Sequence, residues 1–202
     1  MSDAVRAGLR ISWISIAWSA VSGTTAIAVA LVVSSLALLG SGASVLIDLT
    51  SSAVLVWRFR HPRGHEVAEH RAHLLAASAL VTLGSLLAIA GLVRLASGAS
   101  AHPDVASVAV AAASVVILPL IAQRKYRVAP RIPSRALAAD GHITVVGALS
   151  ALVSLIGLLL THAGLPRADA VAGLVLGLGA IGVGVVELRG VGGSHSAEDV
   201  AE

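Results

Sequence analysis

Residues 11–47 read ISWISIAWSAVSGTTAIAVALVVSSLALLGSGASVLI, a run of 37 residues without a charged side chain. One bilayer-spanning helix needs about 20 consecutive apolar residues, so this run holds one spanning helix and most of a second. It is also longer than the apolar core of a signal peptide, which has about 7–15 residues. Ser34-Ser35 and Gly40-Ser41-Gly42 lie where a turn is expected. The sequence predicts helices at about 11–33 and 36–57.

Further uncharged stretches occupy residues 74–93, 105–123, 143–161 and 170–186, and each is near the length of one span. No segment shows the alternation of about ten residues that marks a membrane β-barrel strand. We therefore expect an all-α polytopic membrane protein whose residues 1–189 form one transmembrane domain. Its six bundled helices lie at about 11–33, 36–57, 73–96, 104–123, 134–161 and 168–188.

Composition agrees with a membrane protein. Charged residues make up 12% and hydrophobic residues 56% of the chain, and mean hydropathy is +0.91. A soluble domain is about one-quarter charged, so a soluble globular protein and a nucleic-acid binder are both disfavoured. Disorder of the whole chain is disfavoured because it requires low hydrophobicity. The chain has no cysteine, which excludes disulfides and thiolate metal sites.

Basic residues are distributed unequally between the two ends of the predicted bundle. Of the 14 Lys and Arg residues, only Arg94 and Arg167 fall on one side. Because cytoplasmic loops carry an excess of Lys and Arg, the pattern predicts both termini in the cytoplasm, with the protein in the inner cell membrane. Residues 190–202 are small and polar. We expect them to form a disordered cytoplasmic tail, without a C-terminal cytoplasmic domain.

Asp48 is a carboxylate inside the predicted second helix. A charge at the bilayer centre costs at least about 2.5–3.5 kcal/mol on insertion scales, so an intramembrane aspartate is a functional candidate. A polar stripe runs along the same helix at three- and four-residue steps, and comprises Ser41, Ser44, Asp48, Ser51 and Ser52. This stripe faces the protein interior or water. Helix-packing contacts are the alternative role for the serines.

Asp140 and His142 lie near the start of the predicted fifth helix, at a depth similar to that of Asp48. Oxygen and imidazole donors together suit divalent zinc, cobalt, iron or manganese. Residues two apart lie about 200° around a helix, so only one of Asp140 and His142 is expected to face a site shared with Asp48.

The loop after the second helix is rich in histidine. It reads HPRGHEVAEHRAH over residues 61–73. Proline and glycine break the helix between His61 and His65 and allow a fold in which both contact one ion. The alternative is a solvated segment that faces lipid headgroups.

These motifs together resemble the cation diffusion facilitator (cation efflux) family, over its six-helix transmembrane part. The segment SVLID ending at Asp48 is similar to the family's helix with two metal ligands four residues apart, at the positions of Ser44 and Asp48. His61 and His65 match a loop motif that holds an accessory metal in some members. The segment SRALAADG at 134–141 resembles the entry to the fifth helix, and residues 169–177 resemble the start of the sixth.

The chain also departs from the family pattern. Where the resemblance implies His and Asp ligands after Asp140, the chain has Ile143 and Gly147, and His142 lies one residue early. If the fifth helix is shifted by one residue, His142 replaces the missing ligand; otherwise Asp140 is the nearest donor. The candidate metal ligands are thus Ser44, Asp48 and one of Asp140 and His142, and the resemblance adds His61 and His65 as accessory ligands.

The resulting hypothesis is a transporter that exports zinc, cobalt, iron or manganese. The resemblance implies exchange for protons, and alternating access would expose Asp48 to each side in turn. We expect no prosthetic group, and we expect the cation, protons and the lipid bilayer as partners, with a homodimer left open. The alternative is a non-transporting family member with a degenerate site, acting as a partner subunit or metal sensor. An enzyme is disfavoured because no nucleophile–base pair or phosphate loop is present.

Overall fold

The computed structural model describes residues 3–60, 66–131 and 136–198. Within these ranges it contains helices and no strand, in the order α1 Asp3–Val33, α2 Leu36–Arg60, α3 Glu66–Ser97, α4 Val105–Val128, a 3-10 turn Ala129–Arg131, α5 Ala136–His162 and α6 Ala168–Glu198. Each of the six α-helices contains a segment long and apolar enough to cross a membrane. The prediction of an all-α protein with six transmembrane helices is therefore confirmed.

Several helices extend beyond their predicted limits. α1 begins at Asp3 and not near residue 11, α3 begins at Glu66 and not near residue 73, and α6 continues to Glu198 where the sequence predicted its end near 188. Hydropathy detects only the part of a helix that lies in lipid, whereas hydrogen bonding continues into polar turns. Residues 190–198, expected to be disordered, contain no proline that would end the helix. Residues 199–202 lie outside the described part of the chain.

The bundle is assembled around α2. α1 packs along α2, α4 packs along α5, and α3 packs along α6, while α2 also contacts α3, α5 and α6. Glycines allow the closest of these approaches. A Cβ on Gly177 of α6 would lie 2.7 Å from the carbonyl oxygen of Gly84 on α3, and a Cβ on Gly173 would lie 2.6 Å from Cβ of Leu36 on α2. Gly173 and Gly177 of α6 thus pack against helices of the same chain.

The surface of the bundle is apolar and its interior contains polar groups. Large side chains such as Val32, Leu31 and Val186 are 82%, 68% and 68% exposed. Serines on α1, among them Ser12, Ser15 and Ser19, are fully buried together with Asp48. This distribution suits a protein whose solvent is lipid, because exposed apolar side chains carry no penalty there and polar groups need partners inside.

A side chain from α6 caps the N-terminus of α2. Asp169 is 1% exposed, and its carboxylate accepts hydrogen bonds from the backbone amides of Leu36 at 2.8 Å and Ala37 at 3.3 Å. The Ser35 hydroxyl also donates to Asp169, and Arg94 of α3 lies 3.7 Å away. Because amides at a helix start have no partner within their helix, Asp169 has a structural role that joins α6, α3 and the turn before α2.

α4 has its own cap. The backbone amide of Ser107 donates to Asp104 at 2.8 Å, and the Ser107 hydroxyl lies 3.0 Å from the backbone amide of Asp104, which is a capping box. The hydrogen bond from the Ser107 amide lowers the pKa of the Asp104 carboxyl below its ordinary value. This carboxyl lies just before the spanning segment Val105–Arg131, so it is a stabilising cap at the rim of the bundle.

Candidate functional site

Asp48 is the middle residue of the 25-residue helix α2 and is 0% exposed. Two serines of α1 donate hydrogen bonds to its Oδ2, Ser19 at 2.7 Å and Ser15 at 3.2 Å. Its other oxygen, Oδ1, accepts from the Thr144 hydroxyl of α5. Hydroxyls from two neighbouring helices therefore supply the hydrogen bonds that the buried carboxylate needs.

Asp140 lies near the start of α5, one turn before Thr144, and is 2% exposed. The Ser52 hydroxyl of α2 lies 3.0 Å from Asp140 Oδ1 and 3.2 Å from Oδ2. Ser52 follows Asp48 by one turn of the same helix, so the two carboxylates face a common space between α2 and α5.

Lys125 of α4 fills the space between the two carboxylates and is 0% exposed. Its Nζ lies 2.7 Å from Asp140 Oδ2 and 3.6 Å from Asp48 Oδ1. The ammonium also donates to the hydroxyls of Thr144 at 2.7 Å and Ser52 at 3.0 Å. The three hydrogens of the ammonium thus have three close oxygen partners, as a buried charge requires.

The site is therefore an oxygen-lined centre with an internal cation. It is built from α1, α2, α4 and α5, and with every group ionised the two carboxylates exceed the ammonium by one negative charge. Carboxylate and hydroxyl oxygens are ligands for hard cations. No group of three or more His, Cys, Asp or Glu residues positioned to hold a metal occurs among the described residues. A divalent cation that entered this space would have to displace the Lys125 ammonium.

The structure brings together two of the four predicted ligands and directs His142 away from them. Asp48 and Asp140 share the centre, whereas His142 is exposed. The Nδ1 atom of His142 lies 2.8 Å from the Ala138 carbonyl oxygen. Its ring packs against the Tyr126 ring in a T-shaped arrangement, with the ring centroids 5.3 Å apart. His142 lies two positions after Asp140 on α5, about 200° around the helix, so the two side chains point in different directions. Of the two alternatives left open by the sequence, the geometry favours Asp140.

Ser44 lies one turn before Asp48 and is half-buried, and its hydroxyl makes no hydrogen bond within the described part of the chain. His61 and His65 lie outside the described residues, so an accessory metal there stays a prediction. The polar stripe is oriented as expected at Asp48 and Ser52, which both face the interior.

Sequence reasoning missed the residue that completes the site. From the sequence, Lys125 falls between the predicted fourth and fifth helices and is one of the basic residues assigned to the cytoplasmic side. One feature of the sequence distinguishes Lys125: it is the only lysine in a chain with 13 arginines. A lysine stem is more flexible than the planar guanidinium fork, so the two residue types are not interchangeable. The serines of α1 were missed too. They recur at three- and four-residue steps as Ser12, Ser15, Ser19 and Ser22, the spacing of one buried helix face.

Comparison with known protein families gives a match. The family model of the cation efflux transmembrane domain matches residues 12–190, a range that includes every residue described for the site. No curated protein matches the chain.

Proposed function

This chain belongs to the cation efflux family, and we propose that it exports a divalent metal cation by way of Asp48 and Asp140. The family consists of multi-pass membrane transporters and not of enzymes. We place the protein in the inner cell membrane with both termini in the cytoplasm, as the excess of basic residues at one end of the bundle indicates.

The pair of buried carboxylates is the observation that carries this proposal. Asp48 and Asp140 are 0% and 2% exposed within helices long enough to span a bilayer. Each carboxylate at bilayer depth costs about 2.5–3.5 kcal/mol by insertion scales, so such residues are rare outside ion and substrate pathways. Two carboxylates on facing helices also match the charge of one divalent cation.

Lys125 gives the centre a cation when no metal is bound. In our proposal the metal replaces the ammonium between Asp48 and Asp140, and Lys125 moves away on its flexible stem. Lys125 lies in the last turn of α4, so its ammonium could reach water by extending toward the end of the helix. The exchange would keep the centre from holding two uncompensated carboxylates at any stage.

The donor set bears on which metal is carried. The described site offers carboxylate and hydroxyl oxygens without an imidazole, since His142 points elsewhere. Among zinc, cobalt, iron and manganese, manganese is the ion best suited to oxygen ligands alone. Protons are the proposed counter-ion because a carboxylate binds either a proton or a metal. Alternating access would then expose the centre to each membrane side in turn.

Metal flux in proteoliposomes tests this function. An imposed pH gradient should drive uptake of Mn²⁺ into liposomes that contain the protein, and Asp140→Asn should abolish it. Asp104→Asn is the matched control, because it removes the charge of an exposed aspartate that caps α4 outside the spans. Wild-type protein that folds yet moves none of Mn²⁺, Zn²⁺, Co²⁺ or Fe²⁺ would contradict the proposal.

A second candidate is a family member that has kept the fold and does not transport, acting as a partner subunit or metal sensor, either alone or as a homodimer. The ion pair of Lys125 with Asp140 favours it, because this pair already satisfies the buried charges without metal. The two candidates differ in one observable. A transporter moves metal into liposomes that contain this chain alone, whereas a partner subunit by itself moves none.

A further inference from the structure

We propose that an arginine-lined cleft between α1 and the end of α4 binds the phosphate headgroup of an anionic phospholipid. The cleft has a volume of about 660 Å³, within the range of about 300–1,000 Å³ typical of small-ligand sites. Five arginines line it, two from α1 and three from α4 and the turn that follows, namely Arg6, Arg10, Arg124, Arg127 and Arg131. This site is separate from the Asp48 centre, and lipid binding does not depend on metal transport.

The arginines of the cleft have an excess of charge that the protein does not balance. Asp3 is the acidic residue of the lining, and its carboxylate pairs with Arg6 at 2.5 Å. Within the described residues, the other four arginines have no carboxylate partner. Elsewhere in the bundle, Arg94 and Lys125 each lie beside an aspartate. A concave surface with four uncompensated guanidinium groups is a site for an anion, and guanidinium binds phosphate through two parallel hydrogen bonds.

The other residues that line the cleft favour a lipid over a free phosphate as its ligand. Ala7, Ile11, Ile14 and Val128 also line the cleft, and Ile14 is 52% exposed. Ile11 and Ile14 belong to the spanning segment Val5–Val33. The cleft therefore presents arginine and aliphatic side chains together at the end of a span. A phospholipid can use both, with its phosphate on the arginines and its acyl chains along α1.

The position of the cleft in the bundle agrees with this ligand. α1 begins and α4 ends on the same side of the membrane, the side that the excess of basic residues assigns to the cytoplasm. Anionic lipids are attracted to basic pockets between transmembrane helices on that side. Arg6 and Arg10 are four residues apart, as are Arg127 and Arg131. Residues at this spacing on a helix lie on one face, so Arg6 and Arg10 can contact the same headgroup.

Titration of the detergent-solubilised full chain with fluorescent phosphatidylglycerol tests the proposal. Arg10→Gln/Arg127→Gln should weaken binding roughly 30-fold and Arg127→Gln alone about five-fold, as expected for the loss of two or one arginine contacts. The matched controls are Arg167→Gln/Arg189→Gln and Arg189→Gln, which remove the same charge from exposed positions outside the cleft. They should leave the affinity near the wild-type value. Unlabelled phosphatidylglycerol should displace the probe, whereas phosphatidylcholine should not.

Two results would overturn the proposal. Equal weakening by cleft and control variants would show that overall positive charge, and not the cleft, attracts the lipid. Complete displacement of the probe by millimolar inorganic phosphate would show a simple anion site without use of the acyl chains. Should the double variant fold poorly, the comparison of Arg127→Gln with Arg189→Gln decides, since both lie at the same end of the bundle.

Discussion

Replacing Lys125 by methionine tests the role of the buried ammonium in the proposed mechanism. Methionine fills a similar volume but removes the ammonium that donates to Asp140, Thr144 and Ser52. Asp48 and Asp140 are then left as two buried carboxylates without a positive partner. Removal of one member of a buried ion pair typically lowers the free energy of unfolding by about 3–5 kcal/mol. We expect the free energy of unfolding of Lys125→Met to lie about 3–5 kcal/mol below that of wild type in metal-free buffer.

Divalent cation should offset more than half of this loss. If Mn²⁺ takes the place of the ammonium, a concentration 100 times the dissociation constant stabilises the folded variant by about 2.7 kcal/mol. The assay is reversible unfolding in mixed micelles, with chelator or with Mn²⁺, on Lys125→Met and on the control Arg189→Met, an exposed position on α6. The control should stay within about 0.5 kcal/mol of wild type. Wild-type stability of Lys125→Met in chelator, or no response of the destabilised variant to any divalent cation, would refute the reasoning.

Three further predictions concern single positions. Asp169→Ala removes the cap on the backbone amides of Leu36 and Ala37 and should lower the free energy of unfolding by about 2 kcal/mol. The variant protein that remains folded should keep its metal flux per molecule, and both quantities are to be measured on one preparation. His142→Ala should leave Mn²⁺ flux unchanged, because its ring faces Tyr126, and a loss of flux with intact folding would return His142 to the site. Single cysteines at positions 63 and 100 should react with a membrane-impermeant thiol reagent from opposite faces, and reaction of both from outside would overturn the topology.

The spans of the bundle could be predicted because the information is local. A run of apolar residues with the length of the bilayer defines a helix wherever it occurs, as residues 11–47 do for α1 and most of α2. The helix ends were less accessible, since hydropathy does not register the polar turns that α6 adds up to Glu198.

The candidate site was predictable where it followed from one helix. Asp48 stood out as a charge among apolar residues, and its stripe partner Ser52 followed from helical spacing. The choice between Asp140 and His142 depended on the rotation of α5 about its axis, which spacing alone leaves undefined. Lys125 depended on tertiary structure altogether, because a lysine at a helix end is normally a cytoplasmic anchor and its burial results from the packing of α4 on α5.

Metal transport by the Asp48→Asn variant in proteoliposomes tests the central claim most directly. Asparagine preserves the volume and can still accept from Ser19, but it carries neither a charge nor a titratable proton. Lys125 keeps its 2.7 Å partner Asp140, so folding should be preserved. Expression, unfolding and pH-driven Mn²⁺ uptake are to be measured on one preparation beside wild type. We predict a stable, inserted variant with flux reduced to that of protein-free liposomes; a stable variant with wild-type flux would contradict the account.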